Sequence, residues 1–177
     1  MKRIIEVVPY QSNWPSDFIK EADAIQSILK NEIIGIYHIG STSIVGLSAK
    51  PVIDILIEVK NINAIDPYNP QMEGLQYIPK GEFGMEGRRF FIKGLIHRTH
   101  HVHIFETGHP DIIRHLNFRD YMLSHPDDAK AYETLKLELA QQFRYDNDGY
   151  CDGKDAFIKE MDRRASLWKL EKTNELS

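Results

Sequence analysis

Cysteine is almost missing from this chain: Cys151 is the single copy, so no disulfide can form within it. An apolar start with a cleavage site is missing too, as is any long uncharged apolar run. Together these absences point to a cytoplasmic protein with no membrane partner. Charge of one sign is not in excess either. The formal net charge is −4, which gives no general drive toward nucleic acid, so a phosphate ligand would have to be met by a local cluster of Lys and Arg. No Gly-rich loop ending in Gly-Lys-Ser or Gly-Lys-Thr is present, which excludes a P-loop kinase, and no Ser-His-Asp hydrolase elbow occurs. Internal repeats and low-complexity segments are absent.

What is present suits a folded domain with a real core: 42% hydrophobic and 27% charged residues in 177. One domain is expected over residues 1–170, followed by a frayed tail, 171–177. Lys2 to Val8 is apolar without a clean period. Ser12-Asn13-Trp14-Pro15 then opens a helix to about Lys30, with Phe18, Ala22, Ile25 and Leu29 at helical spacing. Trp14 is read as a staple into the core. Pro67 and Pro70 divide the segment Asn61 to Tyr77 into two short helical pieces. The runs Arg88 to Lys93 and His100 to Phe105 form an antiparallel hairpin, expected beside the strand that carries Asp54. Beyond His109 the pattern is helical, with helices at His109 to Ser124, Pro126 to Phe143 and Asp152 to Leu170, the last capped by Asp152. The fold class is α+β, with a mixed sheet of four or five strands and a helical C-terminal half.

Tyr37 to Val59 concentrates the chemistry. The run Ile33 to Ile39 makes an inner strand that stops at Gly40, where the chain turns, and Ser41-Thr42-Ser43 begin a short helix offering hydroxyls and backbone N–H groups to a phosphate. Val52 to Val59 is a near-continuous apolar run, as expected of a strand covered on both faces, yet Asp54 stands inside it. A carboxylate there needs a partner, a metal or a cleft.

The sequence His38-Ile39-Gly40-Ser41-Thr42-Ser43-Ile44-Val45-Gly46-Leu47-Ser48-Ala49-Lys50-Pro51-Val52-Ile53-Asp54 resembles the GrpB family of small bacterial proteins and, more broadly, the nucleotidyltransferase superfamily. Trp14-Pro15, His101-Val102-His103, Phe118-Arg119-Asp120-Tyr121, Tyr132 to Lys136, and Tyr150 with Lys154 carry the resemblance over roughly residues 3 to 168. It implies a nucleotidyltransferase-like mixed sheet with flanking helices. It also implies a nucleotide or phosphorylated small-molecule ligand and transfer of a nucleoside monophosphate to an acceptor, assisted by a divalent metal, Mg or Mn before Zn.

In that scheme Asp54 binds the cation. A second acid is expected two residues later, on the same strand face roughly 6.6 Å away, but that position is Leu56. His101 and His103, on one face of the hairpin strand, are the replacement ligands, or serve as base; alternatively they bond buried carbonyls. Gly40, Ser41, Thr42, Lys50 and Arg89 are the phosphate-binding candidates, with Arg119, Lys136 and Lys154 as further cations. His38 is expected to orient Asp54 or the turn. Two alternatives accompany transfer. One is a non-catalytic phosphate-binding accessory domain, in keeping with family members joined to dephospho-coenzyme A kinase. The other is a metal-dependent phosphoester hydrolase using His and Asp.

Overall fold

The computed structural model describes residues 4–177, so the first part of the Lys2 to Val8 stretch lies outside the described residues. Helix α1 (Trp14–Leu29) opens the fold, and Pro15 stands in its first turn, where a missing N–H costs nothing. Ile25 and Leu29 are buried while Phe18 packs at the margin, as the helical spacing predicts. Trp14 is buried in the same cluster, edge-on to Tyr10. Strand β1 (Ile33–Ile39) then runs antiparallel to β2 (Ile53–Val59).

The Asn61 to Tyr77 segment forms three pieces. They are two single 3₁₀ turns, Ile62–Ala64 and Asp66–Tyr68, and helix α2 (Asn69–Gly74). Pro70 lies within the first turn of α2 and does not break it. Strands β3 (Tyr77–Pro79), β4 (Arg88–Lys93) and β5 (His100–Glu106) complete a mixed sheet in the order β1-β2-β5-β4-β3. The hairpin is antiparallel, and β5 lies parallel to β2.

The two faces of this sheet differ. Ile53, Ile55, Ile57 and Val59 of β2 share one face with Val102, Ile104 and Phe91, and together with α1 they form the largest apolar core. The other face carries Asp54 and Leu56, with Leu56 packed against Ile39, Phe105 and Ile112. Ile112 belongs to helix α3 (Pro110–Ser124), the first of three C-terminal helices; α4 (Pro126–Gln142) and α5 (Asn147–Glu175) follow.

The last helix corrects the sequence reading at both ends. Asp146, not Asp152, is its N-cap, accepting from the Gly149 N–H at 3.1 Å, and the helix continues through residues 171 to 175. Gly149 and Gly153 sit inside it because α5 passes close to its neighbours. A Cβ at 149 would lie 2.5 Å from the Phe143 ring, and one at 153 would collide with Leu139.

The segment after Gly40 is bolted to this helical half. Ile44 and Leu47 pack against Tyr121, Met122, Ala129 and Tyr132. Both backbone groups of Ser48 are also taken: its N–H donates to Glu133 Oε2 at 2.7 Å, and its carbonyl accepts from Lys136 Nζ. No helix among the described residues is long and apolar enough to cross a membrane.

Candidate functional site

Gly40 turns the chain out of β1 with φ 71° and ψ −174°, a region essentially reserved for glycine. The same position is crowded by the neighbouring strand, since a Cβ there would stand 2.6 Å from Asp54 Oδ2. Ser41–Ser43 forms a single 3₁₀ turn, shorter than the helix expected, with the Ser43 hydroxyl donating back to the Gly40 carbonyl at 2.6 Å. One turn carries little macrodipole, so donors at this corner act individually. His38 lies on the α1 side, stacked on Phe18 and joined through Nε2 to Thr42 Oγ1 at 2.9 Å. That hydrogen bond ties it to the turn, and it lies on the face of the sheet away from Asp54. Burial pulls its pKa down to about 4, against the pull of the Asp54 charge, so the ring is neutral near pH 7.

Asp54 pairs in register with Ile39 on one side and His101 on the other. His101 and His103 share its face, as alternation along β5 requires. His103 Nε2 lies 3.2 Å from Asp54 Oδ1, and His101 Nδ1 lies 3.5 Å from the same oxygen. Burial alone would raise the Asp54 pKa, but the hydrogen bonds and charge of the two imidazoles prevail and hold it well below the usual carboxylate range.

Both imidazoles stand against the same carboxylate oxygen, and the position of a second acid is filled by fully buried Leu56. Among the described residues no group of three His, Cys, Asp or Glu side chains is arranged to hold a metal ion. Behind His103 stands His115, rings 5.8 Å apart, with Arg114 Nη2 directed at His115 Nε2 at 3.1 Å. Burial, reinforced by Arg114, pushes the His115 pKa down to about 3.

Beside Asp54 opens a cavity of about 280 Å³ between the Gly40 turn, the starts of β2 and β5, and helices α4 and α5. Gly40, Ser41, Thr42, Lys50, Asp54 and His101 line it, together with Arg98, Lys136 and Lys154. Four basic side chains thus face one carboxylate. His103 stands behind this wall without lining the cavity. Two of the sequence candidates are elsewhere. Arg89 projects from the opposite face of the sheet, paired with Asp66 at 2.6 Å, because its register partner is Ile104 and not His103. Arg119 donates to the His38 carbonyl at 3.2 Å and pairs with Asp120, bracing the end of β1.

The lysines are held over aromatic rings. Lys50 and Lys154 place their Nζ atoms 4.7 and 4.4 Å from the Tyr150 centroid, and Lys136 lies 4.6 Å from Tyr132. Burial, with the nearby charges of Lys154 and Lys50, brings the Lys136 pKa down to about 7. Burial lowers Lys154 as well, and it pushes the Tyr132 phenol up to about 12. The Tyr150 hydroxyl is buried without a hydrogen-bond partner, as is Arg98 Nε.

Tyr132, Tyr150 and Arg98 are among the lining residues that motif reasoning missed, along with Val52, Asn147 and Cys151. A signal for the tyrosines does exist: Tyr132/Lys136 and Tyr150/Lys154 repeat one i, i+4 spacing on two helices, which stacks each ammonium on its own ring.

The family model of GrpB proteins matches residues 4–164. The chain belongs to the GrpB family. A Bacillus subtilis protein named UPF0157 protein YqkA is 46% identical over 173 residues, 98% of this chain, and the chain spans 50% of that protein's length. The crystal structure of GrpB from Enterococcus faecalis superposes with a TM-score of 0.88 at 43% identity, covering 92% of this chain and 99% of that one. A more distant relative, named dephospho-CoA kinase, from Mycolicibacterium paratuberculosis, is 24% identical over 189 residues, 93% of this chain and 46% of its own length. The mixed sheet and helical C-terminal half expected from sequence are therefore those of a GrpB fold.

Proposed function

We propose that this GrpB protein binds a phosphorylated small molecule in the cavity beside Asp54, with Lys50, Arg98, Lys136 and Lys154 receiving the phosphate. One observation carries the reading: four basic side chains converge on a space that holds a single carboxylate. Two of their ammonium groups share one tyrosine ring. Like charges gathered and partly desolvated in this way repel one another, and a dianion relieves the repulsion. Ser41 and Thr42 line the same cavity and add backbone donors and the Ser41 hydroxyl, the Thr42 hydroxyl being taken by His38. A nucleotide remains the ligand class that the family resemblance implies. The relative named dephospho-CoA kinase is consistent with phosphate chemistry near a segment of this kind.

Binding is favoured over metal-assisted nucleotidyl transfer. Transfer requires carboxylates to hold a cation against the α-phosphate, and Asp54 is alone and already engaged by two imidazoles.

The test is isothermal titration of inorganic phosphate and of adenosine mono-, di- and triphosphates, with and without magnesium. Binding is expected without magnesium. Replacing Lys50 or Lys154 with Ala removes a charge-assisted contact and should weaken it about ten- to a hundredfold, from roughly 1.5–3 kcal/mol. Affinity unchanged in both variants would sink the reading, and so would binding that appears only with magnesium.

A further inference from the structure

The cationic cavity does not end at its own walls. Lys50, Val52 and Arg98 also line a second, larger cavity of about 1010 Å³ on the side away from the Gly40 turn. Its other walls come from the N-terminal segment, the β4–β5 connection and the outer part of α4. We propose that this second cavity receives the organic body of the ligand, and that the ligand is a soluble phosphomonoester of an aliphatic alcohol and not a nucleotide. The proposal rests on the phosphate-binding reading and specifies its substrate class.

Three observations carry it. Ile96 and Leu137 line the cavity while remaining 45% and 40% exposed, so it keeps aliphatic surface in water that a ligand would cover. None of the described lining residues is Phe, Tyr or Trp, and the one ring among them is the small imidazole of His97, so no large aromatic face is there to stack on a purine or pyrimidine. Arg98 stands on the shared wall with Nε buried and without a hydrogen-bond partner, between the aliphatic space and the cations. A phosphate among the lysines would bring its ester oxygen to this wall, and the carbon chain would continue past Lys50 into the larger space. A purely inorganic anion leaves that space wet.

The experiment is calorimetric titration of the full chain with inorganic phosphate, butyl phosphate, octyl phosphate and adenosine 5′-monophosphate. Wild type is compared with Leu137→Glu and Ile96→Asp, which place a carboxylate in the aliphatic cavity from two different elements. Each methylene buried should tighten binding roughly two- to fourfold, so octyl phosphate should bind ~10-fold or more tightly than butyl phosphate. Both variants should abolish that advantage while keeping the wild-type affinity for inorganic phosphate. Equal affinity for butyl and octyl phosphate in wild type overturns the proposal and leaves the phosphate site standing. Adenosine monophosphate binding more tightly than octyl phosphate overturns it as well. Failure of all four compounds to bind removes the phosphate site and the proposal together. Sedimentation of the protein with phosphatidylcholine vesicles containing phosphatidic acid would assign the aliphatic phosphate to a bilayer and overturn the claim of a soluble ligand.

Discussion

Replacing Gly40 with alanine should cost more than any other single methyl group added to the turn, because two independent penalties meet there. The first is torsional: φ 71° with ψ −174° is a conformation that a side chain tolerates at about 1–3 kcal/mol. The second is steric. The new Cβ would stand 2.6 Å from Asp54 Oδ2 and 3.1 and 3.2 Å from Asp54 Cβ and Cγ, so a rotation of the carboxylate alone does not clear it. Asp54 must move as a whole, away from the imidazoles of His103 and His101. Loss of a hydrogen bond to a charged group adds roughly 1.5–3 kcal/mol. The sum, about 2.5–6 kcal/mol, should lower the melting temperature by roughly 5–24 °C for a chain of this size. Gly46 supplies the control. It too has positive φ, +83°, but nothing lies within 4 Å of its hypothetical Cβ, so Gly46→Ala should show the torsional part alone, about 1–2 kcal/mol. Thermal melts of the two variants followed by circular dichroism compare them directly. If Gly40→Ala melts within about 2 °C of Gly46→Ala, the close approach of the turn to Asp54 plays no energetic part and the reasoning fails.

Further perturbations probe the other groups. Lys136 is buried and its pKa falls from 10.5 to about 7, so between those values the unfolded chain binds the extra proton and stability should rise with pH. Lys136→Met should flatten that rise between pH 7 and 9, measured as melting temperature against pH. Asp54→Asn removes the one carboxylate lining the cationic cavity, so titration should show tighter metal-free phosphate binding, by a few-fold. The folded-state pKa of Asp54 is depressed, so its charge stabilises the fold above the unfolded carboxyl pKa. The Asn variant should therefore be less stable than wild type at pH 7, with the gap closing as the medium is acidified. Arg89→Ala breaks a half-exposed pair with Asp66 on the far face. It should cost no more than about 1 kcal/mol in denaturant melts and leave phosphate affinity unchanged.

How much of this was legible beforehand varied with the kind of pattern involved. The apolar run around Asp54 reads as a strand covered on both faces because Ile53, Ile55, Ile57 and Leu56 leave no polar side, and that is where they pack. His101 and His103 could be put together by alternation alone. Arg89 could not be placed, because its face depends on the register between β4 and β5, and a connection from Gly94 to Thr99 sets that register in a way composition does not reveal. A slip of one residue would have turned Arg89 toward Asp54. The start of α5 was hidden for a different reason. Gly149 and Gly153 look like breakers, but they are there because helix and neighbours approach too closely for a side chain. Arg98 reaches the cavity from a segment with no motif of its own, whereas the two tyrosines carried a signal in their i, i+4 spacing to Lys136 and Lys154 that only the packing of α4 and α5 turns into a shared wall.

The double attachment of Ser48 to α4 also bears on how the protein comes into being. Glu133 lies 85 residues beyond the serine whose N–H it accepts, and Lys136 lies 88 residues beyond, so this joint closes only after the C-terminal helices have been made. A growing chain can pair all five strands before Pro126 is synthesised, but at that stage it lacks Lys136, Lys154 and the two tyrosines that carry the ammonium groups. The cationic cavity is therefore complete only once α4 and α5 have been made. An anion that binds there favours the fully docked molecule over every partly assembled one, acting as a late clamp across the seam between sheet and helices.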